Sequence, residues 1–132
     1  MTDSSRTIVP ELLDALPPDD PRARRARLDL QRLHRAMGSA TILRRAIART
    51  GLAYPPRRLL ELGAGDGTLL LRVARAMPRD WRGVEVTLLD RVDVVADATR
   101  KAFASLGWQV RVERRDVVEW ANAPHPGGYD LC

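Results

Sequence analysis

The sequence has one cysteine, one lysine and few aromatic residues (5%), and each shortage removes a class of protein. A lone cysteine, Cys132, excludes an internal disulfide framework and a cysteine-built metal cluster. The run Leu69-Leu70-Leu71 is cut at Arg72, far short of the ~18 consecutive apolar residues of a membrane span. The first residues, Met1-Thr2-Asp3-Ser4-Ser5, carry no basic-then-apolar pattern. Neither secretion nor a membrane partner is expected, and the expected setting is reducing and cytoplasmic.

What is present is enough apolar content for one core: 132 residues, 45% of them hydrophobic. The net charge of +5 is unevenly placed. Residues 1–58 hold 12 arginines against 6 acids, whereas residues 59–132 hold 10 basic residues against 11 acids. Two organisational units are expected, an arginine-rich leader and a nearly neutral body.

Residues 1–20 are polar and turn-rich, a flexible leader with one helical turn expected around Glu11-Leu12-Leu13. A helical segment then spans 21–57. Asp20 offers a carboxylate to cap free N–H groups, and Pro21 needs no donor at the first helical position. Ala26, Leu30, Leu33 and Met37 form one apolar stripe, with arginines on the other faces and Gly38 as the stop. Ser39 is expected to cap a second helix running to about Thr50, with Gly51 ending it. The arginines read as a solvated face or, more sharply, as a surface toward an anion. A base-stacking module would also offer aromatics, and this segment has only Tyr54, so no nucleic-acid partner is expected. His34 has no second ligand at metal spacing.

From residue 58 the pattern alternates. Leu59-Leu60-Glu61-Leu62 is a short buried strand, and Thr68 to Met77 a helix. Val84 to Asp90 is a second strand, Asp93 to Leu106 a second helix, and Trp108 to Glu113 a third strand. Tyr129-Asp130-Leu131-Cys132 opens a fourth. This order predicts an α/β fold with an open, Rossmann-like parallel sheet of which only the first three to four strands are present. Trp81, Trp108 and Trp120 read as packing residues, and His125 as part of a loop.

Between the first strand and its helix stands Gly63-Ala64-Gly65-Asp66-Gly67. Alternating glycines there let the backbone turn sharply and approach a ligand, and the helix N-terminus adds free donors. The dinucleotide pattern G-x-G-x-x-G requires glycine at position 68, which is Thr68. A phosphate-binding Walker loop requires a lysine that is not there.

The stretch Glu61-Leu62-Gly63-Ala64-Gly65-Asp66-Gly67 resembles the first motif of the class I S-adenosylmethionine-dependent methyltransferases. In that family the loop passes beneath the methionine part of the cofactor. The resemblance implies that Glu61, Gly63, Ala64, Gly65, Asp66 and Gly67 hold the methionine end. It implies that Asp90, with Arg91 beside it, binds the ribose hydroxyls, and that Asp116 and the Val117 N–H take the adenine. Asp29 to Gly38 is similar to the helix preceding the core in a bacterial subgroup of these enzymes. Glu61, pointing inward, must be hydrogen-bonded or paired, by loop N–H groups or by the cofactor ammonium.

The expected activity is therefore methyl transfer from S-adenosyl-L-methionine to an acceptor, a small molecule being expected over protein or RNA. No residue is singled out as a catalytic base, and no metal is expected. Family members have a seven-stranded sheet, and this sequence stops four residues into strand four. A truncated chain, or one completed by a partner or a second copy along the open edge of strand one, is expected. A non-catalytic or partner-completed cofactor-binding fragment remains open, as does an NAD(P)-binding Rossmann oxidoreductase, against which Thr68 argues.

Overall fold

The computed structural model describes residues 16–52, 54–124 and 127–132. The helical turn expected at Glu11–Leu13 and the expected loop residue His125 lie outside the described residues. The described residues form five helices and a three-stranded parallel sheet in the order β1-β2-β3.

Helix α1 (Pro21–Ala36) starts as its sequence dictates: Asp20 accepts from the Arg22 N–H at 2.8 Å, with proline at the first helical position. Gly38, at φ +65°, turns the chain into α2 (Ser39–Arg49). Ser39 makes no cap hydrogen bond, contrary to expectation, because it is already inside the helix and Gly38 occupies the capping position. The stripe on α1 is also not buried, since Leu30, Leu33 and Met37 are each more than half exposed. The residues buried on the two helices are Ala23 and Ala40.

Strands β1 (Arg58–Leu62), β2 (Glu85–Asp90) and β3 (Gln109–Arg114) pair in parallel, with Leu62 opposite Leu89 and Asp90 opposite Arg114. Parallel pairing requires crossovers, supplied by α3 (Thr68–Arg75) and α4 (Asp97–Ser105). Helix α4 begins four residues later than the sequence suggests. Asp93 accepts from the Val95 N–H at 3.1 Å and pairs with Arg100, which holds residues 93–96 as irregular chain ahead of the helix.

The sheet carries two apolar clusters. On one face Leu59, Val86 and Leu88 pack with Leu70, Leu71 and Val73 of α3 and with Phe103 and Trp108. On the other, Leu60 and Leu89 pack against Trp120 and Tyr129. Trp120 lies on a short helix not foreseen from sequence, α5 (Val117–Asn122), which partly covers this second face. Where a fourth strand is expected, residues 129–132 make a single parallel bridge beside β1, Leu59 with Leu131: the Leu60 N–H donates to Leu131 O at 3.0 Å and the Asp130 N–H to Arg58 O at 2.8 Å. Among the described residues no helix is long and apolar enough to cross a membrane.

Trp108 is buried and its indole N–H donates to the Trp81 carbonyl at 2.7 Å. Trp108→Phe keeps the ring contact with Phe103 but strands that carbonyl, and is expected to cost about 1–2 kcal/mol in urea denaturation. An unchanged midpoint counts against the bond.

Candidate functional site

In parallel α/β sheets ligands collect at the carboxyl ends of the strands, and the glycine loop lies at that end of β1. It is pinned across to β2 by two bonds: the Ala64 N–H donates to Leu89 O at 3.1 Å, and the Gly65 N–H to Asp90 Oδ2 at 2.8 Å. Asp90 Oδ1 receives the Val92 N–H at 3.3 Å. Asp90 thus shapes the loop from the end of β2, and each carboxylate oxygen keeps a lone pair.

The three glycines, read alike from sequence, have different tasks. All sit at positive φ, +65° at Gly63, +56° at Gly65 and +72° at Gly67. A Cβ at Gly63 or Gly65 would meet nothing within 4 Å, whereas at Gly67 it would lie 2.8 Å from Leu88 Cδ1. Gly63 and Gly65 thus border open space, and Gly67 lets the loop close onto the core.

Asp66 turns back onto α3. Its Oδ1 accepts from the Thr68 N–H at 3.0 Å and the Thr68 hydroxyl at 2.6 Å, so a carboxylate already sits at the helix N-terminus. Its Oδ2 accepts from the Gln31 side-chain amide of α1. Glu61 lies beneath the loop, half-buried, with Oε2 sealed from solvent and without a hydrogen-bond partner. Burial, then the neighbouring Asp66 and Asp90 charges, push its pKa up from 4.5 to about 7. Such an orphaned carboxylate oxygen is a costly feature in a core, and a ligand donor or cation would satisfy it.

Above Glu61 opens a small cleft of about 90 Å³, lined by Glu61, Gly63–Asp66, Thr68 and Leu69 from the core and by Arg27, Leu30, Gln31 and His34 from α1. Of these, Glu61 and Gly63–Asp66 are the residues that the sequence marks, whereas Thr68, Leu69 and the four residues of α1 are not. For Leu30, Gln31 and His34 the one signal is the resemblance of Asp29 to Gly38 to a helix that precedes such cores, and Arg27 lies before that stretch.

Arg91, Asp116 and Val117 form a separate group at the ends of β2 and β3. Asp116 caps α5, accepting from the Val118 N–H at 2.8 Å and the Glu119 N–H at 3.2 Å, and its other oxygen pairs with Arg91 at 2.8 Å. The Arg91 guanidinium and the two cap donors hold the Asp116 carboxyl below the usual carboxylate range. Asp116 is therefore bound within the protein, and the Val117 N–H is the donor left without a hydrogen bond beside it among the described residues. Among the described residues no cluster of three or more metal-ligating side chains is present.

No protein-family model matches this chain. No curated protein matches it either.

Proposed function

We propose that the chain binds S-adenosylmethionine and belongs to an S-adenosylmethionine-dependent methyltransferase with a small-molecule acceptor. The observation that carries this reading is the ring of acids about the glycine loop, Glu61, Asp66 and Asp90, with Glu61 Oε2 enclosed and unpartnered. A cationic ligand relieves that arrangement. A diphosphate aggravates it, and the place a diphosphate takes at a helix N-terminus is held by the Asp66 carboxylate. The acids thereby disfavour the nicotinamide alternative on grounds independent of Thr68.

The residues fit such a cofactor. Gly63 and Gly65 leave room at its methionine end, Glu61 faces its ammonium, and Asp90 has lone pairs for vicinal ribose hydroxyls. The Val117 N–H is available to the base, while Asp116 supports it indirectly by fixing the turn into α5. The cofactor supplies an electrophilic methyl group on a sulfonium. The protein's part is to hold that group aligned with the acceptor, where proximity and orientation account for most of the acceleration.

Calorimetric titration of the 132-residue chain with S-adenosylhomocysteine tests the reading. Saturable binding that NADH does not displace is expected. A folded protein that gives no heat, or that binds NADH at the same site, overturns it.

A further inference from the structure

We infer that the cleft reads both charges of an α-amino-acid group, and that α1 supplies the half that takes the carboxylate, through Arg27 and His34. The inference rests on the reading of the glycine loop as a cofactor site and adds a part of that site on the leader helix.

The cleft's two walls differ in sign. The core wall presents the enclosed oxygen of Glu61 and the carboxylate of Asp66, and the α1 wall presents Arg27, Gln31 and His34. A ligand with one charge leaves one wall unmatched. A zwitterion, with its ammonium toward Glu61 and its carboxylate toward α1, satisfies both.

The donors on α1 are differently committed. The Gln31 amide is engaged by Asp66. Arg27 donates to the Pro18 carbonyl, which steadies the side chain and leaves most of its five N–H donors available. His34 has no hydrogen-bond partner among the described residues. Spacings of four and seven residues put Arg27, Gln31 and His34 on one side of the helix. Of the six arginines in α1, Arg27 is the half-buried one, and Arg22, Arg24, Arg25, Arg32 and Arg35 are exposed. The helix thus turns one guanidinium and one imidazole toward the cleft while the rest of its charge faces solvent.

A ligand held this way ties α1 to the sheet, since its two ends are gripped by different elements. Backbone amides of α1 then exchange more slowly with ligand bound.

The test compares S-adenosylhomocysteine with 5′-methylthioadenosine, the same nucleoside thioether without the amino-acid end. Both are titrated into the wild type, Arg27→Met and His34→Leu. The wild type is expected to prefer S-adenosylhomocysteine and to show slowed exchange in α1 with that ligand alone. Arg27→Met is expected to lose about ten- to a hundredfold in affinity for it, the range for a charge-assisted hydrogen bond, with 5′-methylthioadenosine unchanged. His34→Leu should move the same ligand in the same direction, and it carries the test should Arg27→Met not fold. Loss of both ligands together, or of neither, overturns the assignment of α1. Equal wild-type affinity for the two ligands overturns the amino-acid subsite while leaving the nucleoside site standing. Binding of neither ligand by the folded wild type overturns the site as a whole.

Discussion

Gly67→Ala is expected to destabilise the protein by about 2–5 kcal/mol, the sum of left-handed backbone strain and overpacking of a tight core. Gly67 sits at φ +72°, and a methyl group there would lie 2.8 Å from Leu88 Cδ1. Leu88 cannot yield easily: it is 1% exposed and lies in the central strand, opposite Glu61 on one side and Val112 on the other. Gly63→Ala and Gly65→Ala are the controls. Both residues have positive φ but open space at the Cβ position, so each should cost only about 1–2 kcal/mol of strain. Urea midpoints of the three variants decide the matter, and equal losses at all three positions would show that Leu88 is not the cause. The ligand should rank them differently, with Gly63→Ala and Gly65→Ala harming affinity more than their stability loss suggests.

Glu61→Gln is expected to make the ligand-free protein more stable at pH 8 and to weaken ligand binding. At pH values below 4.5, Glu61 is protonated in the folded and the unfolded chain and contributes nothing. Between 4.5 and about 7 the unfolded chain releases the proton while the folded chain retains it, so stability falls as pH rises. Above that window the loss is constant at about 3 kcal/mol, the difference of the two pKa values expressed as free energy. Glutamine removes the slope, and because its own amide remains under-satisfied the net gain at pH 8 should be about 1–3 kcal/mol. Asp20, Asp116 and Asp130 act oppositely. Their carboxyls are held below 3.8, so their contribution is lost only in more acidic solution and does not overlap the Glu61 window. Thermal melts from pH 4 to pH 8 read the effect, and a flat wild-type profile would refute it. A cationic ligand end reverses the preference of Glu61, so affinity for S-adenosylhomocysteine should rise over the same pH range in the wild type and not in Glu61→Gln.

The parts of this molecule that sequence reveals are those governed by neighbours in the chain. β1, the glycine loop and β2 are legible because apolar runs and glycine breaks act locally, and the start of α1 follows from Asp20 and Pro21 alone. The direction in which α1 buries itself is a tertiary matter. Its periodicity marks Leu30, Leu33 and Met37, yet the buried position is Ala23, with Ala40 buried on α2, where small side chains permit close approach. Helix α5 has six residues, too few for a period to be visible. Asp116 shows the same limit at one residue, because its partner Arg91 lies 25 positions earlier and only the pairing of β2 with β3 brings them together. The α1 wall of the cleft was hidden for a related reason: Gln31 meets Asp66 across 35 residues.

The carboxylate of Asp130 receives the backbone N–H groups of Arg57 and Arg58, at 2.7 and 3.0 Å, across more than seventy residues of chain. This clasp has a kinetic consequence. The start of β1 is synthesised long before the residue that fixes it, and contacts of such long range form late and slowly. On the ribosome the helices can gather early, but the start of β1 must wait for Asp130, so a segment made more than seventy residues later locks the first strand of the sheet.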